Sequence, residues 1–125
     1  MLNTLLVMAG GGIGAALRYQ YGLLSLRLIG PGWPWGTLGV NVLGGLFMGL
    51  LAGWLAARAQ GGESIHLFVA VGLLGGFTTF SAFSLETMLM IERGEFAPAA
   101  GYALLSVVLS VGALALGLSL AQAAA

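Results

Sequence analysis

Apolar residues run along this chain in four long stretches, separated by short polar or proline-bearing segments. The first runs from about Asn3 to Leu24, the second from about Gly36 to Ala57, the third from Ile65 to Ile91 and the fourth from about Ala99 to Leu120. Each is close to the ~20 residues that carry a helix across a bilayer. Gly30-Pro31-Gly32-Trp33-Pro34-Trp35 breaks the chain after the first stretch, and its tryptophans suit a membrane interface. Arg58 to Ser64 forms a short polar loop, and Glu92-Arg93-Gly94-Glu95-Phe96-Ala97-Pro98 leads into the fourth stretch. The pattern predicts an all-α membrane protein, a single four-helix transmembrane domain over residues 1–125. The N-terminus lacks a basic region and its apolar run continues past Gly14, so it reads as a span rather than a signal peptide.

The third stretch is irregular. Residues 75–84 read Gly75-Gly76-Phe77-Thr78-Thr79-Phe80-Ser81-Ala82-Phe83-Ser84, two adjacent glycines and four hydroxyls between apolar flanks. In hydrocarbon, irregular backbone survives only where protein or water covers it. Helices broken at mid-membrane depth commonly build ion or substrate sites. A break near the midplane of the third helix is therefore predicted, and it is the strongest pointer to function in the chain.

Composition agrees. The 125 residues are 59% hydrophobic and 6% charged, with a mean hydropathy of +1.03, where a soluble domain carries roughly 25% charged residues. Net charge is zero, which argues against nucleic acid or acidic partners. There is no cysteine, and the one histidine, His66, stands alone, so neither a disulfide nor a side-chain metal cluster is expected. No nucleotide-binding loop, nucleophile–base pair or pair of intramembrane carboxylates is present, so the chain reads as no enzyme.

Charge also bears on orientation. With four spans both termini share one side. Arg58 falls on that side, Arg27 and Arg93 on the other, with Arg18 near the end of the first span. Arginine bias normally sets topology, and here it is almost nil. The balance suits insertion in both orientations as well as a poorly signalled single one. Among the 22 glycines, Gly10 with Gly14, and Gly45, Gly49 and Gly53, are spaced for close helix contact. Four short helices enclose little volume, so a pore would form between subunits. The same glycines serve equally to tighten one subunit.

Polar groups inside a membrane usually face a cavity or a partner. Tyr102, Ser106 and Ser110 fall at i, i+4 and i+8, one hydroxyl stripe on an otherwise apolar helix. The alternative is that each serine bonds its own backbone four residues back. Thr37 and Asn41 are also four apart; Asn41 serves either as interhelical glue or as an amide donor to an anion. Phe80 and Phe83, at i and i+3, alternate with Ser81 and Ser84. Such phenylalanines usually pack a core, but ring edges carry positive potential and can touch an anion. Glu86, one turn on, suits a water-filled mouth or a proton carrier. Arg18 lies on the Gly10–Gly14 face, able to snorkel to the interface or to pair in a vestibule.

These residues resemble a known family. Gly11-Gly12-Ile13-Gly14-Ala15-Ala16-Leu17-Arg18-Tyr19, Gly36-Thr37-Leu38-Gly39-Val40-Asn41-Val42-Leu43-Gly44 and the segment Gly72 to Ser84 resemble, in order, three motifs of the Fluc (CrcB-like) fluoride channels. The likeness covers the whole chain; one departure is Ala82, where threonine is usual. The resemblance implies an antiparallel, dual-topology homodimer in the cell inner (plasma) membrane, with two fluoride pores per dimer. It implies that Phe80 and Phe83 line the pore and that Asn41 coordinates fluoride. Hydroxyls along the path would come from Thr37, Ser81, Ser84, Tyr102, Ser106 and Ser110. It further implies a central structural sodium ion on backbone carbonyls of Gly75 and Thr78, with Arg18 and Glu86 at a vestibule. Such donors replace the hydration of a small anion without a full charge that would trap it. Two other readings remain: a small proton-coupled or multidrug transporter using Glu86, and a non-transporting subunit of a larger assembly.

Overall fold

The computed structural model describes residues 1–58 and 61–124; Ala59 and Gln60, which belong to the expected polar loop, lie outside them, as does Ala125. The described residues form four helical passes. α1 spans Leu2–Leu28 and α2 spans Trp35–Ala56. The third pass begins with α3, Glu63–Ile65, continues as a π-helical stretch, His66–Leu74, and closes with one turn, α4, Gly75–Phe77. After a break it resumes as α5, Phe80–Glu92. The fourth pass is α6, Phe96–Ala124.

Three of these passes are long and apolar enough to cross a membrane: α2, the whole of Glu63–Glu92, and α6. With the family relationship given below, the chain is a multi-pass membrane protein. α1 is not among the three, although four apolar spans are expected from the sequence. Its 27 residues reach about 40 Å, but its glycines and the run Arg18-Tyr19-Gln20-Tyr21 dilute its apolar character.

The passes pair two by two, α1 against 63–77 and α2 against α6. Both seams are made of glycine. A Cβ on Gly10 would meet the Phe68 carbonyl, and one on Gly14 the Leu73 carbonyl and the Phe77 amide; from the other side, Gly72 lies against Gly10 and Gly76 against Gly11. In the second seam Gly45 faces the Ser110 carbonyl, Gly49 faces Leu114, Gly53 faces Leu118 and Ala121, and Gly117 faces Leu46. Small residues let two backbones touch, which is how helices associate where water provides no drive. The glycines expected from spacing to make close contacts thus make them within one chain.

The break differs in place from the expected one. Gly75 and Gly76 stay helical, and the chain opens only at Thr78 (ψ 159°) and Thr79 (φ −153°, ψ 122°). Thr79 is the N-cap of α5, its Oγ1 accepting from the Ala82 N–H at 3.1 Å. Threonine suits that position because its side-chain oxygen satisfies an orphan donor. Of the two, Gly76 serves α1 instead, lying against Gly11. With 15 residues before the break and 13 after it, the opening lies close to the middle of the pass.

Candidate functional site

α2 holds the break. The Asn41 Nδ2 donates to the Thr79 carbonyl at 3.0 Å, and the Thr79 N–H donates to Asn41 Oδ1 at 2.8 Å. Only one amide orientation satisfies both bonds. The Asn41 carboxamide therefore replaces a helical neighbour for Thr79, and one of its N–H groups is left over. Three residues on, a Cβ at Gly44 would strike the Thr78 methyl, so the break seats directly on α2. Arg18 reaches in from α1 and donates through Nε to the Gly76 carbonyl at 3.1 Å. The Thr78 hydroxyl and N–H both donate to the Leu74 carbonyl, at 2.9 and 3.0 Å. Among the described residues, the bonds that close the break thus end on the Leu74, Gly76 and Thr79 carbonyls rather than on Gly75 or Thr78.

Beyond the break the aromatic residues form a chain of contacts. Phe80 and Phe83 lie 5.4 Å apart between ring centroids, and Phe83 lies 5.2 Å from Tyr102. Their surroundings differ. Phe83 packs against the core of Leu38, Met90, Ala99 and Tyr102. Phe80 is 76% exposed. Core packing, the ordinary fate of paired phenylalanines, thus describes Phe83 and not Phe80 within this chain.

The α6 stripe points inward at all three positions. Tyr102 is fully buried at 0% exposure and Ser106 is 6% exposed. The Tyr102 phenol donates to Glu86 Oε1 at 3.0 Å. The Ser106 and Ser110 hydroxyls are buried with no hydrogen-bond partner. The alternative of back-bonding to the preceding turn does not occur at either serine. It does occur on α5, where Ser84 donates to the Phe80 carbonyl at 2.9 Å and Thr87 to the Phe83 carbonyl at 2.8 Å. Ser81 pairs instead with the Thr79 hydroxyl, at 3.1 Å. Native proteins rarely leave a buried hydroxyl unpaired, since the loss costs about 1–3 kcal/mol. Two in line with a tyrosine make an unsatisfied polar track.

A cavity of about 470 Å³ reaches Glu86 at the Tyr102 end of this track, and Arg18, Thr37, Thr79 and Glu86 all line it, with Trp33 and Arg93 at its wall. Arg18 and Glu86 share the cavity without pairing; among the described residues the ion pair is Arg93 with Glu95, at 3.1 Å on the surface. Of the predicted residues, Arg18, Thr37 and Glu86 share this cavity, Asn41 holds the break, and Tyr102 joins Phe83 to Glu86. Ser106 and Ser110 are not in the cavity wall, Phe80, Ser81 and Ser84 lie exposed, and Gly75 lies one helical turn before the opening. Sequence spacing did not reveal Trp33 as part of the wall, nor Thr79 as the cap that Asn41 braces. For Thr79 a signal exists, a threonine just ahead of an apolar helical run.

Residues 5–118 match the family described as CrcB-like protein, Camphor Resistance (CrcB). A relative from Novosphingobium aromaticivorans, named fluoride-specific ion channel FluC, is 55% identical over all of both chains. Relatives of the same name from Phenylobacterium zucineum and Hyphomonas neptunium are 57% and 56% identical, each over 98% of this chain and 97% of the relative. On both grounds the chain belongs to the CrcB-like family.

Proposed function

We propose that this protein is a fluoride-specific ion channel, passing fluoride passively out of the cell across the plasma membrane, and no enzyme. Its relatives carry that name along their full length. Within the chain, one observation carries the reading: the Ser106 and Ser110 hydroxyls, buried, in line and unpaired. Fluoride is small and strongly hydrated, so its route must return the hydrogen bonds it sheds. Orphan hydroxyls do so, and being neutral they release the ion again. Thr37, in the cavity wall, and the spare N–H of Asn41 would extend the donor set, and Tyr102, Ser81 and Ser84 would supply further hydroxyls along the path. Phe80 and Phe83 would offer positive ring edges. Arg18 raises the anion concentration in the vestibule, and Glu86 stays tied to Tyr102. Fluoride efflux from proteoliposomes tests the reading. Efflux that follows a proton gradient rather than the fluoride gradient would favour a proton-coupled carrier built on Glu86.

In this reading the four passes form one transmembrane domain, with α1 as the fourth span, covered by its glycine seam. An exposed Phe80 suits completion by a second copy, an antiparallel homodimer with two pores. The same arrangement would meet the needs of a sodium ion. The Gly75 and Thr78 carbonyls are hard oxygen donors left out of the bonds that close the break, and they fit such an ion; two chains would supply four. When bound, it offsets carbonyl dipoles that hydrocarbon cannot satisfy. Dual topology is tested through Ser64→Cys, a clean probe in a chain without cysteine. An impermeant thiol reagent should label roughly half the protein in intact cells, because near-balanced arginines favour both orientations. Labelling of all or none removes the antiparallel dimer, and the shared ion site with it.

Phe80→Ile should cut fluoride flux strongly while leaving stability unchanged, because the side chain is exposed and its ring edge has no apolar substitute. Phe83→Ile should cut flux too and also lower the melting temperature, since its ring packs on Tyr102. If Phe80→Ile conducts like the parent, the ring has no part in permeation.

A further inference from the structure

The segment that crosses the cavity wall between α1 and α2 is built to hold still. Gly30 has a φ of +101°, which a residue with a Cβ rarely adopts. Pro31 and Pro34 fix two more φ angles. The Trp35 N–H donates to the Trp33 carbonyl at 2.8 Å. Trp33 is thereby presented to the interior, where it meets Trp35 at 5.1 Å and stands edge-on to Tyr102, centroids 5.5 Å apart and planes at 71°. Phe83 contacts the same Tyr102 ring. Tyr102 is therefore held by an indole from the loop and a phenyl from α5. Its hydroxyl is at the head of the serine stripe and is bonded to Glu86.

We propose that Trp33 is a positioning residue for permeation: it clamps the Tyr102 ring so that the phenol holds the Glu86 carboxylate at the cavity end of the hydroxyl track. The role rests on the channel reading. Its logic is electrostatic. Glu86 lines the same cavity as Arg18, and a loose carboxylate there repels an entering anion and competes for the guanidinium. A phenol–carboxylate bond is charge-assisted and directional, but it fixes the carboxylate only if the ring itself cannot tilt. Tyr102 has no backbone constraint on its second torsion; its neighbours supply it, and of the two aromatic rings packed on it Trp33 is the one that lines the cavity. A tryptophan that merely anchors the loop at the membrane surface would leave the Tyr102–Glu86 bond unchanged when replaced.

The test combines a spectrum with a flux. Tyr19→Phe and Tyr21→Phe leave Tyr102 as the one tyrosine of three, so the tyrosine Fermi doublet in resonance Raman reports whether its hydroxyl donates. In that background Trp33→Leu should shift the doublet away from strong donation and lower fluoride efflux about tenfold, the scale of one lost aromatic pair. Trp33→Phe should restore both. In a Tyr102→Phe protein, Trp33→Leu should lower efflux no further. An unchanged doublet overturns the clamp, and so does an unchanged efflux in Trp33→Leu. If the parent protein passes no fluoride, the channel reading falls, and the doublet alone decides whether Trp33 positions the phenol.

Discussion

Asn41→Asp should reduce fluoride efflux at neutral pH by about a hundredfold or more, and acid should restore part of it. The side chains are nearly the same size, so the seating of Thr78 on Gly44 survives. Their hydrogen bonding differs. Asn41 both donates to the Thr79 carbonyl and accepts from the Thr79 N–H. Ionised aspartate only accepts. It keeps the second bond, sets an oxygen against the Thr79 carbonyl in place of the first, and removes the spare donor that we assign to the ion route. An unmade buried bond costs about 1–3 kcal/mol, and a fixed negative charge in a poorly screened site repels an anion by at least as much. Together about 3 kcal/mol on the barrier gives the hundredfold. Protonation returns one donor and removes the charge, hence recovery in acid, measured after subtracting leak through protein-free vesicles. Asn41→Ala should be as slow but without that recovery. Normal efflux of the aspartate variant at neutral pH would remove Asn41 from the route.

How far the site was legible follows from what each kind of signal can say. Hydropathy located α2 to within a residue, because its apolar run ends sharply at Trp35 and Ala57. It shortened α6, which continues to Ala124 through alanines that are strong helix formers but only weakly apolar. Pro98 did not delay the start of α6, since a helix tolerates proline in its first turn. The break was visible as a cluster of glycine and hydroxyl residues, yet it opened at the threonines. Glycine permits a break; Thr79 supplies the oxygen that caps the helix after it, and Asn41 the partners that replace the lost ladder.

Spacing identified faces without identifying what they meet. Tyr102, Ser106 and Ser110 share a face by spacing alone; that the two serine hydroxyls on it are buried without partners is visible only in the fold. The bond from Tyr102 to Glu86 joins residues 16 apart on different helices, and no periodicity connects them. From the sequence, Trp33 suits a membrane interface, as a tryptophan in the break between two spans. Its contact with Tyr102 depends on the folded path of that loop, which only the tertiary structure displays.

The glycines separate most sharply on substitution. Gly14→Ala should destabilise the protein by about 3 kcal/mol, the upper end of overpacking costs, and Gly12→Ala, two residues away, should be neutral or stabilising. The added methyl is the same. At Gly14 it would meet the Leu73 carbonyl and the Phe77 amide, both backbone atoms, so no rotamer change relieves the contact. The helices must separate along the seam, and separation also withdraws Arg18, one turn further along α1, from the Gly76 carbonyl. At Gly12 nothing lies within 4 Å, and alanine gains up to about 1 kcal/mol of helix propensity over glycine. Thermal unfolding in detergent, followed by tryptophan fluorescence, should therefore place the two variants on opposite sides of the parent or leave Gly12→Ala level with it. The Gly14→Ala protein should also lose fluoride efflux, because the break it supports from α1 is the one that Asn41 braces from α2. Equal melting of both variants would mean that α1 does not touch 63–77 as closely as the glycine seam requires.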